Sequence, residues 1–252
     1  MGLLKLMIKI PIIYEDNHLL VVEKAPNILS QEDRTGDLDM LTILKRDIKV
    51  RYNKPGNVYL GLIHRLDRPV GGVMVFAKTS KAASRLSEQI RNREFGKVYM
   101  AVIHGKPNRG RDKLVHYLLK DRRTNTVRCV QRDVPGGQRA ILDYKLIEST
   151  GDLSLVKINL HTGRPHQIRV QFSAINHPLY GDRRYGSTAK RWGRGIALWG
   201  HEIICRHPTL REKMVFASWP GINPPWDRFK SIAGAAPASN KYIIVRKKKG
   251  NE

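Results

Sequence analysis

Apolar positions along this chain fall mostly into short runs, many of them with the two-residue period of half-buried strands. Ile8–Tyr14 and Leu19–Glu23 read as two strands joined by the turn-forming Glu15-Asp16-Asn17. Residues 25–37 are polar and irregular. Leu41, Leu44 and Ile48 then recur at helical spacing, which predicts a helix from Leu38 to Tyr52 with Asp37 as its cap. Pro55-Gly56-Asn57 ends that helix and launches a strand, Val58–Ile63. Val73–Ala77 is a compact apolar strand, and Ser80 caps a predicted helix to Asn92 with Ala83, Leu86 and Ile90 inward. Lys97–Ile103 alternates near its start, so Lys97 and Tyr99 share a strand face. Ala140–Ser149 and Leu153–Leu160 flank Gly151-Asp152 as a hairpin. The period then changes. Pro165 suits the first turn of a helix carrying Ile168, Phe172 and Ile175, and Asn176-His177-Pro178 stops it. Ala197–Cys205 and Lys213–Ser218 are late strands, and Trp226–Ala233 is at best a short helix. This pattern predicts an α+β fold, a mixed and mainly antiparallel sheet core with flanking helices. With no repeat and no linker to divide the chain, residues 1–235 read as one domain and 236–252 as a basic, solvated tail.

Charge changes the picture most. Of 252 residues, 46 are Lys or Arg against 22 Asp or Glu, a net charge of +24. Such self-repulsion calls for a polyanionic partner, and nucleic acid is favoured over an anionic membrane because no long amphipathic basic helix stands out. Lys106–Gly137 is strongly basic and reads as short-stranded, and Lys106–Arg139 is the candidate insert for gripping nucleic acid. The two cysteines, Cys129 and Cys205, supply no disulfide framework, so a reducing compartment is expected. Met1–Ile13 is interrupted by Lys5 and Lys9 and lacks a small-residue cleavage site, so it reads as strand, not signal peptide. No apolar run approaches the roughly 20 residues of a membrane span. A soluble, cytoplasmic, monomeric protein is expected. The chain has no glycine-rich dinucleotide or P-loop signature and no nucleophile elbow. His201, Cys205 and His207 lack a second pair at zinc-site spacing, so no metal site is expected, with Cys205 in the core.

Two stretches carry candidate chemistry. Leu62-Ile63-His64-Arg65-Leu66-Asp67-Arg68-Pro69-Val70-Gly71-Gly72 ends an apolar run in one acid bracketed by bases. If it stays extended, Arg65 and Asp67 lie on one face and His64 and Leu66 on the other. A strand-end carboxylate on a turn suits catalysis; an ordinary surface ion pair is the alternative. The second stretch is His161-Thr162-Gly163-Arg164-Pro165-His166-Gln167-Ile168-Arg169. There, His166, Arg169 and Ser173 fall at i, i+3 and i+7 and share a helix face. A base on that helix can keep a catalytic carboxylate ionised, whereas phosphate binding alone is the plainer reading.

Taken together these segments resemble the RluA-type pseudouridine synthases. His64-Arg65-Leu66-Asp67 matches that family's His-Arg-Leu-Asp, and Lys97-Val98-Tyr99 its Lys-x-Tyr strand. Gly163–Arg169 matches Gly-Arg-x-His-Gln-Ile-Arg, and His177-Pro178-Leu179-Tyr180-Gly181-Asp182-Arg183-Arg184-Tyr185-Gly186 matches His-Pro-x-x-Gly-Asp-x-x-Tyr-Gly. The resemblance spans roughly Ile12 to Trp226. Three departures stand out: Val70-Gly71-Gly72 where relatives usually have Thr-Ser-Gly, Pro165 for Thr, and Leu198-Trp199-Gly200 for Leu-His-Ala. The first removes two hydroxyls that could brace the loop. Many relatives carry an N-terminal S4 RNA-binding module, and none is expected here.

The resemblance implies isomerisation of uridine in ribosomal (chiefly large-subunit) or transfer RNA, without metal or organic cofactor. Asp67 carries over as the catalytic carboxylate. Attack on C1′, attack on the base and removal of a ribose proton all stay open for it; proton abstraction from C2′ is preferred. Tyr99 carries over as the residue that stacks on the extruded uracil and serves the C5 proton, and Arg169 as the partner of the acid. Ile168 implies an apolar wall, and Arg65 a planar cation filling the space the flipped base leaves. Lys97, Arg164 and His166 complete the expected RNA-binding set. A non-catalytic RNA-binding protein and a nucleoside-cleaving glycosylase are the rival classes.

Overall fold

The computed structural model describes residues 9–186, 195–234 and 243–246. The fold is α+β, a mixed sheet with few helices. The chain divides into two compact units, one drawn from Met1–Phe95, Ile203–Ala217 and Tyr242–Glu252, the other from Gly96–Glu202 and Ser218–Lys241.

In the first unit β1 (Ile12–Glu15) and β2 (Leu19–Lys24) form a hairpin, and β2 pairs antiparallel with β4 (Gly71–Ala77) from Leu19 opposite Ala77 to Lys24 opposite Gly72. Both faces of β4 are buried, which is why its sequence is apolar throughout and does not alternate. The run expected as a strand over Val58–Ile63 contributes only β3 (Gly61–Leu62), paired with Ala77 and Phe76 of β4. Residues 63–70 therefore form a loop from β3 to β4. Helix α1 (Met40–Arg51) is capped by Asp39, whose carboxylate accepts the Thr42 N–H, and not by Asp37. Asp37 instead pairs with Arg68. Helix α2 (Ser80–Arg91) is capped by Thr79, one residue before the expected Ser80. Each true cap sits three residues before the N–H its side chain accepts, the usual N-cap geometry. Leu19, Val21, Val73, Val75 and Leu86 pack with Cys205, Met214 and Phe216 in one core.

The second unit is built on β5 (Gly96–His104), β6 (Arg111–Asp121), β7 (Thr126–Val130), β8 (Gln138–Thr150) and β9 (Leu153–Leu160). These stand in the order β5-β9-β8-β6-β7, every pair antiparallel. The basic segment is not short-stranded: its β6 runs eleven residues and turns over 122–125 into β7. The hairpin at Gly151-Asp152 forms as expected, with Gly151 at φ +58°. Helix α3 (Gln167–Ala174) begins later than the sequence suggests, because His166 takes a left-handed conformation as its N-cap. Its Val170 packs with Leu118, Val127 and Ala140 of β6, β7 and β8. Met100, Leu155, Trp199, Trp226 and Phe229 form a further core.

The boundary between the units falls within β10 (Leu198–Arg206). β11 (Lys213–Ala217) pairs antiparallel with β12 (Ile243–Arg246), so four residues placed in the tail by the sequence form a strand. The Lys247–Lys249 run lies outside the described residues.

Candidate active site

The selected residues fall in both units. Arg65 and Asp67 belong to the first; Lys97, Tyr99, Arg164, His166, Ile168 and Arg169 belong to the second.

Burial along 64–67 alternates, with His64 and Leu66 buried, Arg65 exposed and Asp67 half-buried. The expected two faces therefore hold although the segment is loop. His64 accepts the Val75 N–H on Nε2 at 3.1 Å, which puts its proton on Nδ1, and its ring packs on Phe95. It anchors the loop to β4. Ser30, itself buried, accepts the Leu66 N–H at 3.1 Å and donates to the Leu66 carbonyl at 2.7 Å. The Arg68 carbonyl accepts from Asn27 N–H at 2.7 Å and from Lys24 Nζ at 3.1 Å, and Val70 N–H closes a turn on the Asp67 carbonyl at 2.9 Å. Backbone on both sides of Asp67 is thus pinned.

Lys24 is fully buried at the end of β2, and its ammonium donates also to the Ala25 carbonyl at 3.0 Å. Burial pulls its pKa down to about 7, with Asp67 acting in the opposite direction and Arg68 adding to the fall. Neither Lys24 nor Ser30 was selected from the sequence. Ser30 lies in the irregular segment; the one local sign of Lys24 is a base two residues past the apolar run Leu19–Val22.

In the second unit Tyr99 is 7% exposed on β5, two residues from Lys97 on the same face. Lys97 is largely buried, which lowers its pKa. Its Nζ lies 3.0 Å from where a Cβ on Gly163 would stand, so glycine there leaves the ammonium room against the 162–166 turn. Gln167 organises that turn, its Oε1 accepting from Thr162 Oγ1 at 2.7 Å and Arg164 N–H at 3.1 Å. Arg164 reaches outward and donates from Nε to the Arg139 carbonyl at 3.2 Å. Ile168 is buried.

The shared face predicted for His166, Arg169 and Ser173 is real, and Tyr185 is what it meets. His166 Nδ1 pairs with the Tyr185 hydroxyl at 2.6 Å, the Arg169 guanidinium lies 5.0 Å from the ring centroid, and Ser173 donates to the Tyr185 carbonyl at 2.6 Å. Arg169 also forks onto Asp182, Nε to Oδ2 and Nη2 to Oδ1, both at 2.8 Å. Of His201, Cys205 and His207, His207 Nε2 binds Asp16, His201 Nδ1 binds the Ser218 carbonyl, and Cys205 is core.

The first unit thus holds an acid on a doubly pinned loop, and the second a buried tyrosine and an arginine forked onto a buried carboxylate, residues of the segments that carry the resemblance to the RluA-type synthases. Comparison with known proteins gives the same class. The RNA pseudouridylate synthase family model matches residues 18–174. An uncharacterized RNA pseudouridine synthase of Bacillus subtilis is 33% identical over 210 residues, 82% of this chain and 67% of that protein. Ribosomal large subunit pseudouridine synthase D of Borreliella burgdorferi is 31% identical over 71% of this chain, which spans 55% of that relative's length. The solved structure of human RNA pseudouridylate synthase domain containing 1 superposes with a TM-score of 0.69 at 25% identity, covering 87% of this chain and 86% of that one. The chain belongs to the RNA pseudouridylate synthases of the RluA type, a family of RNA uridine isomerases.

Proposed function

We propose that the protein converts specific uridines of ribosomal RNA, large-subunit RNA first, or of transfer RNA into pseudouridine, with Asp67 as the catalytic carboxylate. The bracing of Asp67 carries this reading. Ser30 at Leu66 and Lys24 and Asn27 at Arg68 fix the backbone on either side of the one acid in the family's His-Arg-Leu-Asp segment. A carboxylate that must meet one ribose atom gains rate from being held in place before substrate arrives.

In the reaction we favour, Asp67 takes the C2′ proton as the N1–C1′ bond breaks, leaving a C1′=C2′ double bond in the sugar and an anionic uracil. The base turns, C5 bonds to C1′, and Asp67 returns the proton to C2′. Tyr99 then serves the proton leaving C5 while N1 gains one, so the sum is an isomerisation. Arg169 acts as the partner of the acid, Ile168 walls the base, and Arg65 stacks into the vacated space. Lys97, Arg164 and His166 hold RNA, with the basic β6–β7 hairpin gripping it. Residues 1–235 act as one catalytic domain, the protein works as a cytoplasmic monomer, and phosphate contacts supply salt-sensitive affinity.

The test is to incubate the protein with uridine-containing transcripts and separate the nucleosides. Pseudouridine is expected. Free uracil alone would indicate a glycosylase, and tight binding without product a binding protein.

A further inference from the structure

The segment His177–Gly186 matches the family's His-Pro-x-x-Gly-Asp-x-x-Tyr-Gly pattern. Its Gly181-Asp182 and Tyr185 are built around Arg169. Asp182 is 1% exposed and Arg169 is 8% exposed. The two planar groups meet in a parallel two-point fork, Nε to Oδ2 and Nη2 to Oδ1, each 2.8 Å, which fixes both the position and the plane of the guanidinium. Asp182 is in turn immobilised by its own backbone turn: Oδ1 accepts the N–H groups of Arg184 at 3.1 Å and Tyr185 at 3.2 Å. That turn places the Tyr185 ring against the guanidinium, 5.0 Å from centroid to Cζ. Tyr185 cannot drift, because its hydroxyl accepts the Val127 N–H at 2.9 Å and binds His166 Nδ1 at 2.6 Å, and its carbonyl holds Ser173. The backbone tolerates this only with glycine at 181, which has φ +75° and lies against the Gly195 carbonyl.

We propose that Asp182 is a positioning residue for uridine isomerisation, clasping Arg169 in a fixed plane with Tyr185 closing the clasp. A charge opposite the catalytic acid could be supplied by any cation. A guanidinium held at two nitrogens by a buried carboxylate, under an aromatic ring, delivers that charge in one orientation. The inference rests on the reading of Arg169 as the partner of the catalytic acid, and the variants separate the two.

Single-turnover kinetics and RNA affinity are measured for Arg169→Ala, Arg169→Lys, Asp182→Asn and Arg169→Lys with Asp182→Asn, each checked for folded far-UV circular dichroism. Arg169→Ala tests the underlying reading: turnover within threefold of wild type would refute it. Arg169→Lys keeps the charge and loses the fork, so the rate is expected to fall at least tenfold with RNA affinity within twofold. Asp182→Asn is expected to match that split, and the double variant to be no slower than the slower single one, since both remove the same constraint. A slow Arg169→Ala beside a near-normal Arg169→Lys would overturn the positioning role, whether or not Asp182→Asn folds. So would rate losses that multiply in the double variant, or losses that track RNA affinity instead of rate.

Discussion

Replacing Lys24 by Met tests the bracing of the Asp67 loop through stability alone. The lysine is fully buried, donates to the Ala25 and Arg68 carbonyls, and its pKa is pulled down to about 7 by burial. An unfolded chain restores an ordinary lysine near 10.5. Between those values the unfolded state holds a proton that the folded state has released. Wild-type stability therefore rises with pH across that window, with a limiting slope of about 1.4 kcal/mol per pH unit, and is flat in this respect below it. Integrated from pH 7 to pH 9, where the folded group is still partly charged at the start, the gain is about 2 kcal/mol. Methionine has similar length and no proton to lose. Losing the hydrogen bond to the Ala25 carbonyl, and leaving the Arg68 carbonyl to Asn27 N–H alone, costs the variant about the same at both pH values. The stability of wild type minus that of Lys24→Met, from urea titrations followed by circular dichroism, is thus expected to grow by about 2 kcal/mol from pH 7 to pH 9. A difference that stays constant, or shrinks, would refute the placement of a buried, readily deprotonated lysine under this loop.

Three further outcomes follow from single contacts. Ser30→Ala strands the buried Leu66 N–H, so a loss of about 1–3 kcal/mol in urea unfolding is expected, together with slower pseudouridine formation. Gly181→Ala sets a Cβ 2.0 Å from the Gly195 carbonyl oxygen at a positive φ, and the variant is expected to lose more than about 3 kcal/mol or to fail to fold by circular dichroism. Burial opposes ionisation of Asp16, but the His18 and Leu19 N–H groups, Tyr14 and His207 outweigh it and hold the pKa below the ordinary carboxylate value. Its stabilisation is present above that value and is lost as pH falls through the lowered pKa. Asp16→Asn is therefore expected to flatten the acid limb of a pH–melting curve.

Much of this architecture is legible in the residues, because it depends on local periodicity. The i, i+3, i+7 spacing of His166, Arg169 and Ser173 correctly predicts one face, and all three side chains meet Tyr185. The alternation through 64–67 likewise sorts buried His64 and Leu66 from exposed Arg65 without a strand to carry it. What stays hidden depends on distant backbone. Ser30 and Lys24 reach the Asp67 loop across 36 and 44 residues, and nothing in a polar segment or an apolar run announces a side chain aimed at a particular carbonyl. The caps fail for a smaller reason: Asp37 and Asp39 both suit the role, and only the side chain's reach to the Thr42 N–H decides. The length of β6 was obscured by its charges, which a strand with an exposed face accommodates.

The central claim, that Asp67 drives uridine isomerisation, is tested most directly by tritium release from RNA labelled at uracil C5, comparing wild type with Asp67→Asn. The account predicts steady release by wild type and none above background by the variant, with RNA affinity for the variant within a few-fold of wild type. Release by Asp67→Asn at a rate close to wild type would contradict it.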